Sequence, residues 1–152
     1  MAEVRRADVT WEGDLTSGRG NVTAATSRAF TSLPVSWLSR TGAHDTRTSP
    51  EELLASAHAS CYAMAFSADL GRAGFTPTKL EVSSSVTFDR VDGKWTVVSS
   101  ALKVRGWVPN ADDATFKKVA EGAKDGCPIS RALKGNVQLG VDATLEKSPA
   151  RK

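Results

Sequence analysis

The chain has 152 residues, of which 40% are hydrophobic and 24% are charged, a composition that excludes a largely disordered protein. Its 20 basic and 17 acidic residues give a net charge of +3, and the basic residues are scattered, which argues against nucleic-acid binding. No apolar run approaches the roughly 20 residues that are needed to span a bilayer. The length predicts a single domain over residues 1–152.

The first ten residues are charged and lack the apolar middle region of a signal peptide. We therefore expect a cytoplasmic protein without a membrane partner. The cytoplasm keeps thiols reduced, so the two cysteines of the chain are poor candidates for a permanent structural disulfide.

The first third of the chain predicts short strands separated by turns. Alternating apolar residues predict a strand over 2–11, and a second strand is expected over 21–30, after the turn residues at 17–20. Residues 35–38 are consistent with a third strand or a tethered loop, and 41–50 is expected to be a polar loop.

A long helix is predicted from Pro50 to about Arg72. A hydroxyl cap, a proline at the first helical position and the carboxylates of Glu51 and Glu52 form a strong start signal. Its charged residues lie near its ends, which indicates a helix that is apolar nearly all round and therefore buried.

The second half of the chain predicts a hairpin, two helices and a last strand. Alternation from Leu80 onward and the Asp92–Gly93 turn predict the hairpin, whose returning strand over 95–108 is interrupted at Ser99–Ser100. The remaining elements are expected as a helix from Asn110, its candidate cap, to Gly126, a helix over 127–134 and a strand over 137–145. This order predicts an α+β fold.

The two cysteines have different local settings. Cys61 lies in the middle of the long helix, where a small core residue is the alternative to a functional thiol. Cys127 lies between Gly126 and Pro128 at a helix start, where backbone N–H groups and the helix dipole stabilise a thiolate. The alternative is that Cys127 occupies the helix-cap position by chance and has no functional role.

Three interpretations of the cysteine pair stay open on these residues. A redox pair ranks first, in which one thiolate attacks a peroxide oxygen and becomes a sulfenic acid, and the other thiol condenses with it to a disulfide. A structural disulfide ranks second. A zinc site with His58 and Cys61 ranks third, because Cys127 has no neighbouring ligand and His44 is the only other histidine.

Two longer motifs resemble those of a known family. The run SPEELLASAHASC at 49–61 resembles the central-helix motif of the OsmC branch of the OsmC/Ohr superfamily, the osmotically inducible and organic hydroperoxide resistance proteins. The run GCPISRAL at 126–133 resembles the resolving-cysteine motif of that family. Residues 11–13 and 74–77 also match, so the resemblance covers about residues 8–145.

The resemblance implies an OsmC-like α+β fold with antiparallel sheets wrapped around long buried central helices in an intertwined homodimer. It implies a thiol-dependent peroxidase that reduces organic hydroperoxides and protects against oxidative stress, without a metal or organic cofactor. Cys61 would be the attacking cysteine and Cys127 the resolving cysteine. A dithiol, for example protein-bound dihydrolipoamide, would be the reductant.

The resemblance also implies an arginine and a glutamate that hold the attacking thiolate. Glu51 matches the motif glutamate, and Arg40 fits the arginine position of the OsmC branch, with Arg19 as the Ohr-type alternative. Glu51 lies ten residues before Cys61, or about 15 Å along a continuous helix. Either the helix is interrupted or Glu51 serves Cys61 of a partner subunit.

An apolar setting would raise the pKa of the Cys61 thiol, so an arginine must offset the burial, with the glutamate orienting it. Such a site predicts a preference for lipid-like or aromatic peroxides, and its candidate walls are Trp37, Tyr62, Met64 and Phe66. His58 is expected to be a packed, hydrogen-bonded residue rather than a base. The alternative function is a small-ligand-binding module in which the cysteines are incidental.

Overall fold

The computed structural model describes residues 1–42 and 46–147 of the chain. They divide into two compact units, the first up to Leu53 and the second from Leu54 onward. Within the described residues, no helix combines the length and apolar character that a bilayer span requires.

The first unit contains a three-stranded antiparallel sheet in the order β1-β2-β3, followed by a short helix. Its elements are β1 (Asp8–Glu12), β2 (Arg19–Thr23), β3 (Leu33–Val35) and α1 (Leu38–Thr41). The predicted second strand, 21–30, ends at Thr23 instead, because the Ala24 N–H bonds to the Phe30 carbonyl and closes a turn.

The third strand covers Leu33–Val35 rather than the possible strand 35–38, because serine side chains bend the chain after Val35. The Ser39 N–H donates to the Ser36 hydroxyl (3.1 Å), and the Ser39 hydroxyl donates to the Ser36 carbonyl (2.7 Å). Hydroxyls that bond nearby backbone groups compete with a strand ladder. The chain therefore turns into α1, which carries Arg40.

Helix α2 (Pro50–Arg72) has the predicted bounds. The Glu52 N–H donates to the Ser49 hydroxyl at 3.1 Å, which caps the helix start. Within one chain its burial is one-sided rather than all round. The buried face presents residues four positions apart, which are His58, Tyr62, Phe66 and Leu70. The Met64 side of the helix is open, and Met64 is 68% exposed.

The second unit contains a three-stranded sheet in the order β4-β5-β6. Its strands are β4 (Lys79–Val91), β5 (Lys94–Trp107) and β6 (Gln138–Leu145). The predicted turn is confirmed, since Asp92 and Gly93 join β4 to β5 with positive φ angles of 51° and 76°. The predicted interruption at Ser99–Ser100 is wrong, because β5 continues through both residues with only a register shift where Thr87 pairs with Ser99.

Strand β6 runs parallel to β5, so the expectation of purely antiparallel sheets is wrong for this strand. Helices α3 (Asp113–Gly126) and α4 (Pro128–Leu133) carry the chain from the end of β5 to the start of β6. Such a crossover is what a parallel pair requires. The cap of α3 is Asp112 rather than the predicted Asn110, because the Asp112 carboxylate accepts the Thr115 N–H at 2.8 Å.

The core of the second unit packs α2 and α3 against the sheet. The rings of Phe66 and Phe116 meet edge to face with centroids 5.1 Å apart. Gly106 makes room for this contact, since a Cβ there would lie 2.6 Å from the Phe116 ring. The same core encloses Cys127 at the junction of α3 and α4.

Candidate active site

The structure brings the two cysteines together inside the second unit. Cys61 on α2 is half-buried, and Cys127 is fully buried. Both are free thiols; Cys61 packs against the core cluster that contains Cys127, and the two sulfurs are close enough that each alters the pKa of the other. The two thiols are therefore neighbours in the reduced protein.

Cys127 owes its position to two helices that meet at its backbone. Helix α3 ends at Gly126, and Pro128 starts α4. The Cys127 N–H donates to the Ala123 carbonyl at 2.9 Å, and its carbonyl accepts the Arg131 N–H at 2.9 Å. Its backbone thus closes one helix and opens the next, which leaves the side chain facing the core.

The surroundings raise the pKa of the Cys61 thiol and lower the pKa of the Cys127 thiol. Burial raises the pKa of Cys61, and the neighbouring Cys127 sulfur raises it further, against the effect of the Ile129 N–H. Burial also opposes ionisation of Cys127, but the Ser130 N–H, the Cys61 thiol and the Ser130 hydroxyl outweigh it and lower the pKa of Cys127. Cys127 is therefore the more acidic thiol within one chain.

His58 lies fully buried beside this pair and bonds two serines. Its Nδ1 is 2.6 Å from the Ser100 hydroxyl, and its Nε2 is 2.8 Å from the Ser130 hydroxyl. Burial lowers the pKa of His58, so the ring is neutral at neutral pH. The prediction of a packed, hydrogen-bonded histidine is confirmed.

The sequence motifs did not identify the serines that bond to His58. Ser84 continues this network, with its hydroxyl 2.9 Å from that of Ser100. Both serines occupy inward-facing positions of alternating strands, between Val82 and Val86 in β4 and before Leu102 in β5. The sequence feature that could have identified them is a serine at a core-facing position of an alternating strand.

The zinc alternative finds little support in this geometry. Within residues 1–42 and 46–147, no three His, Cys, Asp or Glu side chains are grouped so that they could bind a metal ion. Both ring nitrogens of His58 are occupied by serine hydroxyls. His44 lies outside the described residues.

Arg40 and Glu51 form an ion pair in the first unit. Arg40 Nη2 lies 2.6 Å from Glu51 Oε1, and Arg40 Nε lies 3.2 Å from each carboxylate oxygen. The Glu51 side chain is 9% exposed and that of Arg40 is 28% exposed. A carboxylate that accepts two guanidinium donors fixes the plane of the arginine. Arg19, the alternative arginine, lies on the exposed side of β2.

Arg40 also lines an apolar cavity of about 410 Å³ in the first unit. The other lining residues are mainly apolar and include Val9, Trp11, Leu15, Val22, Val35, Trp37, Pro50 and Leu53. Of the predicted apolar walls, Trp37 lines this cavity. Tyr62 and Phe66 are instead fully buried core residues, and Met64 is exposed.

The course of helix α2 decides whether Glu51 could approach Cys61 through a break in the helix. The helix is continuous from Pro50 to Arg72, which excludes the alternative of an interruption between Glu51 and Cys61. About 15 Å of helical rise separates the two residues on one chain, which is beyond the reach of a glutamate side chain.

Comparison with known proteins gives consistent matches over most of the chain. A family model described as OsmC-like protein matches residues 42–142. Peroxiredoxin OsmC of Escherichia coli (strain K12) is 38% identical over 135 residues, which cover 89% of this chain and 93% of that protein. The organic hydroperoxide resistance protein of Xanthomonas axonopodis pv. citri (strain 306) is 26% identical over 140 residues, or 91% of this chain and 96% of that protein.

Solved structures share the fold. The organic hydroperoxide resistance protein OhrB of Bacillus subtilis superposes with a TM-score of 0.72 at 22% identity and covers 91% of this chain and 98% of its own. An organic hydroperoxide resistance protein from Elizabethkingia anophelis gives a TM-score of 0.74 at 19% identity, over 96% of this chain and 100% of its own. The predicted α+β fold is thereby confirmed.

Proposed function

The chain belongs to the OsmC family, as its two motifs predicted, and from this membership we propose that it is a peroxidase that reduces organic hydroperoxides and protects against oxidative stress. The names of its relatives, a peroxiredoxin and an organic hydroperoxide resistance protein, support this role. The observation that carries it is the proximity of the thiols of Cys61 and Cys127, which share one core and alter each other's pKa.

The reaction proceeds in two steps at these sulfurs. The Cys61 thiolate attacks the terminal oxygen of the hydroperoxide, an S–O bond forms as the O–O bond breaks, and the alcohol leaves after taking up a proton. Cys127 then attacks the sulfenic acid, so that the disulfide forms and water leaves. Cys61 takes the first role because it is half-buried and can be reached, whereas Cys127 is fully buried.

Cys61 needs a cation, because its surroundings within one chain raise its pKa. Arg40, oriented by Glu51, is the residue that supplies it in this proposal. Glu51 cannot reach Cys61 of its own unbroken helix, and Arg40 is held on Glu51. The pair therefore serves Cys61 of a second subunit, which makes a homodimer a condition of catalysis.

The exposed surface of the chain supports such a dimer. Met64 is 68% exposed on the open side of α2, and the first unit exposes Trp11, Leu15 and Leu38 at 42%, 56% and 52%. Large apolar side chains that remain this exposed favour burial against another surface. A second copy on the Met64 side of α2 would bury that apolar side of the helix, in keeping with its sequence.

The proposal extends to the substrate, which the cavity supports, and to the reductant, which the family resemblance suggests. The apolar cavity that Arg40 and Trp37 line favours a lipid-like or aromatic hydroperoxide over hydrogen peroxide. A dithiol such as dihydrolipoamide regenerates the enzyme by attack on the more accessible Cys61 sulfur. The cycle needs no metal or organic cofactor, because sulfur itself is oxidised and reduced.

The test couples consumption of cumene hydroperoxide to a dithiol. We expect activity in the unchanged protein and in Ser60→Ala, an exposed neighbour of the reacting cysteine, and loss of activity in Cys61→Ser. Mass spectrometry after one equivalent of peroxide should show a loss of two mass units and no free thiol. Full activity of Cys61→Ser would overturn the proposal.

The apolar cavity also favours one alternative, a small-ligand-binding module with incidental cysteines. In that case peroxide would leave Cys61 and Cys127 as free thiols, or oxidise them without formation of their mutual disulfide. The mass measurement therefore separates the two functions.

A further inference from the structure

A continuous chain of hydrogen bonds leads from Ser130, beside the buried Cys127, to Ser84 in the second sheet. Ser130 lies three residues after Cys127 at the start of α4 and helps to lower the pKa of that thiol, and its hydroxyl lies 2.8 Å from His58 Nε2. His58 Nδ1 lies 2.6 Å from the Ser100 hydroxyl, which lies 2.9 Å from that of Ser84. Cys127, His58 and Ser100 are 0% exposed and Ser130 is 1% exposed, whereas Ser84 is only half-buried.

The direction of these bonds depends on the protonation state of Cys127. When Cys127 is a thiolate, Ser130 donates to the sulfur and accepts from His58 Nε2–H. His58 Nδ1 then accepts from Ser100, and Ser100 accepts from Ser84, because each hydroxyl and the neutral ring carry one proton. When Cys127 is a thiol, every bond can reverse and His58 carries its proton on Nδ1.

We infer that Ser130, His58, Ser100 and Ser84 form a proton relay that serves Cys127, with His58 as its central member. This inference rests on the proposed peroxidase function. The proton of Cys127 passes to Ser130, the proton of Ser130 passes to His58 Nε2, and the proton on Nδ1 passes to Ser100. Ser100 passes its own proton to Ser84, which releases one to water.

The balance of the step is simple. One proton moves from the Cys127 sulfur to solvent, and no relay group remains charged. The Cys127 thiolate forms the S–S bond with Cys61 as the S–O bond of the sulfenic acid breaks, and the departing hydroxide takes up one proton. The sum is one thiol plus one sulfenic acid, giving one disulfide and one water.

Two features suit His58 to this task. A fully buried imidazole with a lowered pKa resists holding a charge, so it transmits a proton rather than storing one. Its two ring nitrogens face serines from separate segments, so the ring connects α4 to β5. The titratable neighbours of Cys127 on α2 are Cys61 and Tyr62, and Tyr62 keeps its proton because its pKa is raised and it donates to the Ala120 carbonyl.

The experiment follows a single turnover with one equivalent of cumene hydroperoxide. A sulfenic-acid trap and mass spectrometry separate the first phase, oxidation of Cys61, from the second phase, disulfide formation. The variants are His58→Gln, which keeps a group near Ser130 but cannot relay a proton, and Ser100→Ala. Ser84→Ala removes the half-buried link without a change in the core, and Ser85→Ala, its exposed neighbour, is the matched control.

We expect an unchanged first phase in all variants, an unchanged second phase in Ser85→Ala, and a second phase slowed at least about tenfold in the relay variants. The pKa of Cys127, taken from alkylation rates in a Cys61→Ser background, should change little in His58→Gln. A role in positioning alone would instead raise that pKa, and higher pH would restore the rate.

Three outcomes would overturn the relay: an unchanged second phase in the relay variants, equal slowing of both phases, or rescue of His58→Gln by higher pH. Failure of the first phase in the unchanged protein would contradict the peroxidase function instead. The two failures are therefore distinguishable.

Discussion

At the scale of single residues, accessibility and acidity are divided between the two cysteines. Cys61 can be reached but its pKa is raised, whereas Cys127 has a lowered pKa but is fully buried. The proposed reaction uses this division in sequence, because Cys61 must meet the peroxide first and Cys127 must be a nucleophile second. Arg40 is then required only for the first step.

The coupling of the two sulfurs gives a prediction about pH. In Cys127→Ser the influence of the Cys127 sulfur, which raises the pKa of Cys61, is removed, while the burial of Cys61 remains. The pKa of Cys61 should therefore fall relative to that in the unchanged protein, so its thiolate forms at lower pH. Alkylation rates measured against pH, with peptide mapping of Cys61, check the shift, and an unchanged or higher pKa would contradict it.

At the scale of elements, α2 is the part that sequence reasoning described best. Its start at Pro50 and its end at Arg72 depend on cap, proline and glycine signals that act locally, so they could be predicted. The direction of β6 could not be predicted, because alternation marks a strand but not its partner or its sense.

At the candidate site too, the sequence predicts local features but not contacts between distant residues. The motifs around Cys61 and Cys127 identify both cysteines, and they resemble a family that also points to Glu51. The bonds of His58 to Ser100 and Ser130 join residues 42 and 72 positions apart in the sequence, and no local pattern encodes such contacts. Only the fold brings these side chains together.

The contact between β5 and α3 gives a prediction about stability. In Gly106→Ala the new methyl group would lie 2.6 Å from the Phe116 ring, so the ring or the strand must shift. We expect a loss of about 1–3 kcal/mol in the free energy of unfolding, measured by urea denaturation.

Gly122→Ala is the matched control. Gly122 lies on α3, and a methyl group added there would meet no neighbouring atom within 4 Å. Alanine in a helix should leave stability unchanged or raise it by up to about 1 kcal/mol. Equal effects of the two substitutions would contradict the packing argument for Gly106.

At the scale of the whole molecule, the proposed dimer can be tested by complementation. Cys61→Ser and Arg40→Ala should each be inactive alone. If Arg40 serves Cys61 of the other subunit, a mixed dimer contains one intact site, formed by the unchanged Arg40 of one chain and the unchanged Cys61 of the other. Random reassembly of equal amounts should then restore about a quarter of the unchanged activity, since half of the dimers are mixed.

The reassembly experiment also has a clear opposite result. If Arg40 acts on Cys61 of its own chain, every site in the mixture lacks one of the two residues and no activity returns. Sedimentation of the mixture establishes that dimers have re-formed.

The contact between the two thiols has a consequence for the electrochemistry of the protein. A Cys61–Cys127 bond would close a long loop of the chain, and a cross-link over such a span stabilises a fold by about 4 kcal/mol. By linkage, the fold stabilises the bond by the same amount, which lowers its midpoint potential by roughly 90 mV relative to an unconstrained pair. We therefore expect equilibration with redox buffers to show that the glutathione couple reduces the oxidised protein poorly, and that a strongly reducing dithiol is needed to complete each turnover.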